Sequence, residues 1–280
     1  MRHITLRRLA ALACLIGLAI AAKAWHDTMR DPVVQRLSID SEKLDATASP
    51  VRMALLADIH VAGPDMPPSR LERIVEQVNS LDPDMVLIAG DLVSEKRVAT
   101  KLYSAEEIVA PLGNIKAPLG TVLVPGNHDH WFDWPALSRE LANHEHIKVL
   151  ANEAAQVGPI ALGGVDDDFT GRADLAATIE SMSALSGPRV VLTHSPDIFP
   201  SVPVDVDLVL AGHTHCGQIR YPWGGAPATM SDFGDLYACG VVEQHGKTLV
   251  TSAGIGTSLL PIRLFSQPEI WLIEIRPPQR

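Results

Sequence analysis

Five times in this 280-residue chain a short, largely apolar run stops on aspartate or histidine. Met53-Ala-Leu-Leu-Ala57 ends at Asp58-Ile-His60, and Met85-Val-Leu-Ile-Ala89 at Gly90-Asp91. Thr121-Val-Leu-Val124 ends at Pro125-Gly-Asn-His-Asp-His130, Arg189-Val-Val-Leu-Thr193 at His194, and Leu208-Val-Leu-Ala211 at Gly212-His-Thr-His215. Runs of four or five residues with so few polar positions suit strands buried on both faces, as in the parallel sheets of α/β folds. One such stop is an ordinary turn or cap; the same punctuation five times is a pattern.

Helical signals lie between the runs. Ser69 and Glu72 form a capping-box pattern, followed by Leu71, Ile74, Val75 and Val78 at helical spacing, and Asp82-Pro83 closes the segment. Weaker helices are expected around Tyr103 to Ala110, after Pro135 through Leu137 and Leu141, and from Leu175 to Leu185. Ile147 to Leu150 and Ile160 to Leu162 read as further strands. Val241-Val242 and Thr248 to Thr251 flank a hairpin turn, and Ile270 to Ile275 reads as a last strand. Strands alternating with helices imply an α/β fold with a largely parallel core, and the hairpin adds antiparallel pairing. Ligands bind such sheets at the carboxyl ends of the strands, where all five polar stops fall.

The first residues differ in kind. Arg2, Arg7 and Arg8 precede an apolar run of 14 residues, Leu9 to Ala22, closed by Lys23. That length suits a signal peptide, with Ala22-Lys-Ala24 as a small-x-small cleavage site, or a retained signal anchor. The division expected is therefore residues 1–24 as signal peptide or anchor, 25–50 as a linker with an edge strand near Val33 to Ile39, and 51–280 as the main domain. Membrane association or export follows, and the charge bias favours the extracytoplasmic side. A net charge of −10 argues against binding a nucleic-acid polymer. Three cysteines are too few for a disulfide scaffold, but Cys216 and Cys239 can pair in an oxidising compartment.

The stops together offer Asp58, His60, Asp91, Asn127, His128, Asp129, His194, His213 and His215. Imidazoles and carboxylates with one amide oxygen suit divalent Mn, Fe, Co, Zn or Ni. Asp58-x-His60 and His213-x-His215 each place two side chains on one side of an extended segment. Two metal ions bridged by a carboxylate and a water would clamp a phosphoryl group and acidify that water to a nucleophile. The expected reaction is phosphoester hydrolysis by in-line attack.

Asp58-Ile-His60, Gly90-Asp91, Gly126-Asn-His-Asp129, His194 and Gly212-His-Thr-His215 resemble the five motifs of the calcineurin-like metallophosphoesterases. The resemblance implies a four-layer α/β/β/α sandwich with two mixed sheets. It implies one divalent ion held by Asp58, His60, Asp91 and His215, and a second by Asp91, Asn127, His194 and His213, with Asp91 as the bridge. It makes His128 the residue that protonates the leaving oxygen or stabilises phosphoryl charge, with Asp129 orienting it. Gly212 to Arg220, Ser252 to Thr257, and Pro261-Ile-Arg263 with Pro268-Glu-Ile270 resemble the membrane-associated bacterial phosphodiesterase branch. That branch implies a phosphodiester or pyrophosphate substrate, lipid-linked or nucleotide, with hydrolysis of the UDP-2,3-diacylglucosamine type among its reactions. The alternative is a non-catalytic scaffold of the same fold. Cys216 stands where the branch usually has Gly, and packing or pairing with Cys239 is expected of it rather than ligation. Trp131, Phe132 and Trp134 either wall a substrate cleft or seat the next helix. The sequence leaves substrate, metal identity and oligomeric state open.

Overall fold

The computed structural model describes residues 2–96 and 98–278; Met1, Gln279 and Arg280, the outermost positions of segments 1–24 and 51–280, lie outside the described residues. The chain opens with α1 (Arg2–Met29), of which Leu6–Met29 is long and apolar enough to cross a membrane. Five strands follow, with helices between them: β1 (Val33–Asp40), β2 (Val51–Leu56), β3 (Met85–Ala89), β4 (Thr121–Val124) and β5 (Ile147–Val149). A second group comprises β6 (Glu153–Val157), β7 (Ile160–Gly164), β8 (Arg189–Leu192), β9 (Leu208–Ala211), β10 (Gly240–Gln244) and β11 (Lys247–Thr251). The last strand, β12 (Glu269–Arg276), returns to the first group. One six-stranded sheet has the order β1-β12-β2-β3-β4-β5 and the other β10-β11-β9-β8-β7-β6.

Both sheets are mixed. β2 to β5 run parallel, β12 is antiparallel to β2, and β7, β8, β9 and β11 are parallel with antiparallel hairpin partners at both edges. Alternate side chains of the apolar runs point to opposite faces. Met53, Leu55, Leu87 and Val122 meet Leu162, Val190, Leu192 and Leu210 between the sheets. Ala54, Leu56, Val86, Ile88 and Leu123 face outward onto α2 (Pro68–Ser80), α3 (Ala105–Val109) and α5 (Trp134–Ala142), which lies just beyond the short α4 (Asn127–Phe132). On the other outer face, Ala161, Val191, Val209 and Leu249 pack under α6 (Leu175–Ser181) and the segment around Phe199. The layers are helix, sheet, sheet, helix, as expected.

Two local readings change. The N-cap of α2 is Pro67 with no side-chain cap, because Pro68 occupies the first helical position and draws Ser69 inside the first turn. The capping box forms instead at Ser104 and Glu107, which start α3. Segment 25–50 holds the foot of α1 and the whole of β1, which pairs in parallel with β12 from Val33 to Asp40.

Candidate metal centre

The five polar stops converge where the carboxyl ends of the two sheets meet. β2, β3 and β4 deliver Asp58, His60, Asp91 and the loop from Asn127 to Asp129, while β8 and β9 deliver His194, His213 and His215. Asp58, His60 and His215 form one cluster able to hold a cation, and Asp91, His194 and His213 form another. One oxygen joins them: Asp91 Oδ2 lies 3.5 Å from His60 Nε2 and 3.3 Å from His194 Nε2. Asn127 Oδ1 completes the second cluster, 3.1 Å from His194 Nε2, and Asp58 Oδ1 the first, 3.5 Å from His215 Nε2. All seven expected metal-ligating residues therefore sit together, in two groups that share Asp91.

The side chains converge by a different route from strand alternation. Asp58, His60, Asp91, His213 and His215 all lie beyond their strands with φ between 50 and 69°. These are left-handed conformations that cost a non-glycine residue about 1–3 kcal/mol each and concentrate at functional sites. Close backbone approach is also required. A Cβ at Gly126 would lie 2.3 Å from Asp91 Oδ1, and one at Gly90 would lie 2.7 Å from the Gly126 nitrogen.

The imidazoles are oriented for a cation. His60 Nδ1–H donates to the Val93 carbonyl (3.0 Å), His194 Nδ1–H to Ala89 (2.7 Å) and His213 Nε2–H to Met230 (3.1 Å). Carbonyls only accept, so in each neutral ring the lone pair is on the inward nitrogen. His213 Nδ1 and His194 Nε2 then face each other at 3.1 Å, and positive charge between the carboxylates is what that arrangement demands. Burial works against protonating His194, yet Asp91 and Asp58 carry it up to about 10. Burial, reinforced by His194, pushes His213 down to about 3. Burial and the neighbouring His60 and Arg263 likewise hold His215 well below the usual imidazole range. Burial would raise Asp91, but His194, His60 and His128 outweigh it and hold the carboxyl well below its usual value. Burial carries Asp58 up to about 7. The donor set fits divalent transition ions.

His128 borders the same place, its ring edge-on to His60 with centroids 4.9 Å apart, and its buried Nδ1 has no hydrogen-bond partner. Asp129 does not reach it. The Asp129 carboxylate accepts the backbone N–H of Asp91 and Gly126, each at 2.9 Å, and of Leu92 at 2.8 Å, so it fixes the turn that aims Asp91. The reason is position: as the third residue of α4, Asp129 turns back toward the exposed amides of the helix start. His130 instead bonds Asp166 at 2.7 Å, tying α4 to the segment that carries Phe169 against His213. The aromatic trio divides, with Trp131 on the cleft wall and Phe132 and Trp134 packed on the helical core.

Two features were not assigned from sequence. Arg263 is fully buried, donating to the carbonyls of Ala253 (2.6 Å) and Gly256 (2.6 Å) and lying 3.3 Å from His215 Nδ1. The Lys96 ammonium, also buried, is 2.7 Å from Asp65 and 2.9 Å from Thr257. The Pro261-Ile-Arg263 motif signalled the arginine, but surface and buried arginines look alike in sequence. Cys216 and Cys239 form a disulfide. A cleft of about 350 Å³ opens from Asp91, Asn127 and His128 past Trp131, Phe169 and Leu260.

A family model for calcineurin-like phosphoesterase matches residues 51–217. The chain is 32% identical to a transmembrane protein with metallophosphoesterase domain from Danio rerio, over 96% of this chain and 63% of that protein. It is also 32% identical to an uncharacterized metallophosphoesterase from Helicobacter pylori strain J99, over 91% and 67% of the two chains. For the uncharacterized metallophosphoesterase YkoQ of Bacillus subtilis the identity is 28%, over 95% and 98%. The chain thus spans less than two thirds of the D. rerio protein. It belongs to the calcineurin-like phosphoesterase family.

Proposed function

We propose that this chain is a two-metal hydrolase that cleaves a phosphodiester or pyrophosphate bond, with Asp91 shared between the ions. The supporting observation is Asp91 Oδ2, nearly equidistant from the imidazoles of two separate ligand clusters. Asp58, His60 and His215 would hold the first ion with Asp91, and Asn127, His194 and His213 the second. Divalent ions bound there would supply Lewis acidity and lower the pKa of a coordinated water toward neutrality. His128, beside both clusters on the cleft wall, protonates the leaving oxygen. Asp129 keeps the Asp91 turn in place through its backbone bonds.

The cleft wall of Trp131, Phe169, Met230 and Leu260 suits an apolar or aromatic group next to the phosphoryl centre, in keeping with a lipid-linked or nucleotide substrate. We assign α1 as a retained membrane anchor, because it continues through Ala22-Lys-Ala24 and buries Ala24, Asp27 and Thr28 against the domain. Arg7 and Arg8 before the apolar run favour an extracytoplasmic domain. Hydrolysis of bis-p-nitrophenyl phosphate with Mn²⁺, abolished by chelator, tests the reading. Metal-loaded protein inactive across monoesters, diesters, nucleotides and lipid-linked pyrophosphates would overturn it.

A further inference from the structure

The foot of α1 and the mouth of the cleft are joined by one short loop. Residues 6–23 of α1 are exposed, while Ala24, Asp27 and Thr28 are buried in the domain. Lys23 is the first charge after the apolar run and Trp25, half-exposed, follows it. Such residues mark the level at which a helix leaves bilayer hydrocarbon. The Lys23 ammonium lies over the Phe265 ring, 4.9 Å from its centroid, and the Phe265 N–H donates to Asp27 at 3.2 Å. Phe265 is therefore at that same level, although it belongs to the catalytic domain.

From Phe265 the chain runs back to Leu260 and Leu259, which line the cleft. Five residues of extended chain reach at most about 18 Å. Leu264 bridges to Ile219, and the strand leads on to Tyr221 and Trp223, whose rings stack with centroids 5.4 Å apart. These side chains are apolar yet open to solvent: Trp223 is 81% exposed, Leu259 61% and Leu260 46%. Gln218 donates to the Leu260 carbonyl and the Arg220 N–H to the Leu264 carbonyl, so the backbone holds the two segments that carry these exposed apolar groups side by side, and apolar groups gathered in this way mark an interaction surface. Tyr and Trp beside Leu and Phe are the composition of a bilayer interface.

We propose that the face formed by Leu259, Leu260, Phe265, Tyr221 and Trp223 seats on the bilayer from which α1 emerges, so that the cleft opens at headgroup level. The partner is a lipid surface, fixed by continuity with the foot of α1. The proposal rests on α1 being a membrane helix, and its test separates the two.

The full chain carrying Cys14→Ser, which removes the one free thiol, is reconstituted in phosphatidylcholine vesicles with brominated acyl chains. A polarity-sensitive fluorophore is attached in turn to Leu12→Cys, Leu259→Cys, Leu260→Cys and Val204→Cys. Val204 is 72% exposed and precedes β9, at the strand ends opposite the cleft. Side chains that sit about 5–10 Å into the headgroup boundary predict roughly twofold quenching at 259 and 260. Stronger quenching is expected at position 12 and none at 204. Quenching at 12 with none at 259 and 260 overturns the docked face and leaves the anchor standing. No quenching at 12 removes the anchor, and the docked face with it. Equal quenching at 204 shows unspecific adsorption and also overturns the proposal.

Discussion

At the scale of single residues, the roles proposed for the neighbours Asn127 and His128 are separable. Asn127→Ala removes an amide oxygen from the second cluster and should release about one equivalent of metal, read by elemental analysis. His128→Ala should retain both ions and lose roughly 10²–10⁴-fold in turnover, the range for removing a general acid. Loss of metal in His128→Ala would make it a ligand. Arg263→Met leaves the carbonyls of Ala253 and Gly256 without their donor. It should destabilise the domain by about 3–5 kcal/mol, the cost of breaking a buried charged network, measured as a shift of the unfolding midpoint. The residue types of the site were readable because strand-end Asp and His recur in one order. Arg263 was not, because burial depends on which carbonyls the chain brings round it, and the backbone bonds of Asp129 follow from its place at the start of α4, a helix too short to read from periodicity.

At the scale of elements, the apolar runs specified the central strands of both sheets, since an uninterrupted run has only a two-sided core to enter, whereas the half-exposed edge strand β6 carries no such run. The convergence of the site was harder to foresee: Asp58-x-His60 and His213-x-His215 read as extended, whereas four left-handed residues aim them. Left-handed φ at non-glycine positions is imposed by tertiary contacts, such as Asp58 accepting the His213 N–H at 3.0 Å, and has no local sequence cue. The segment between Cys216 and Cys239 carries Met230, whose carbonyl fixes the His213 tautomer. Reducing that disulfide, or Cys216→Ser with Cys239→Ser, should cost about 2–4 kcal/mol of stability. It should also weaken metal binding by roughly 10–100-fold, as expected when an outer hydrogen-bond partner of a ligand is loosened. Unchanged metal affinity in the reduced protein would separate the Met230 carbonyl from His213 function. The Lys96 and Asp65 pair joins elements behind the site, and Lys96→Ala should cost about 3–5 kcal/mol by stranding a buried carboxylate.

At the scale of the whole molecule, the two sheets act as the halves of one metal-binding frame. The first brings Asp58, His60, Asp91 and Asn127, the second His194, His213 and His215, and neither half holds a complete set. Metal binding should therefore stabilise the sheet–sheet interface, and removal by chelator should lower the unfolding temperature as well as abolish turnover. The foot of α1 belongs to the same frame through Thr28, whose hydroxyl accepts the Arg263 N–H at 2.6 Å. Whether Asp91 joins two ions is read directly from metal content and electron paramagnetic resonance of Mn²⁺-loaded protein beside its Asp91→Asn variant. Two Mn²⁺ per chain with exchange-coupled spectra are expected, with loss of both coupling and hydrolysis in the variant. A single uncoupled ion in the native chain, or two coupled ions with full hydrolysis in Asp91→Asn, would contradict that bridging role.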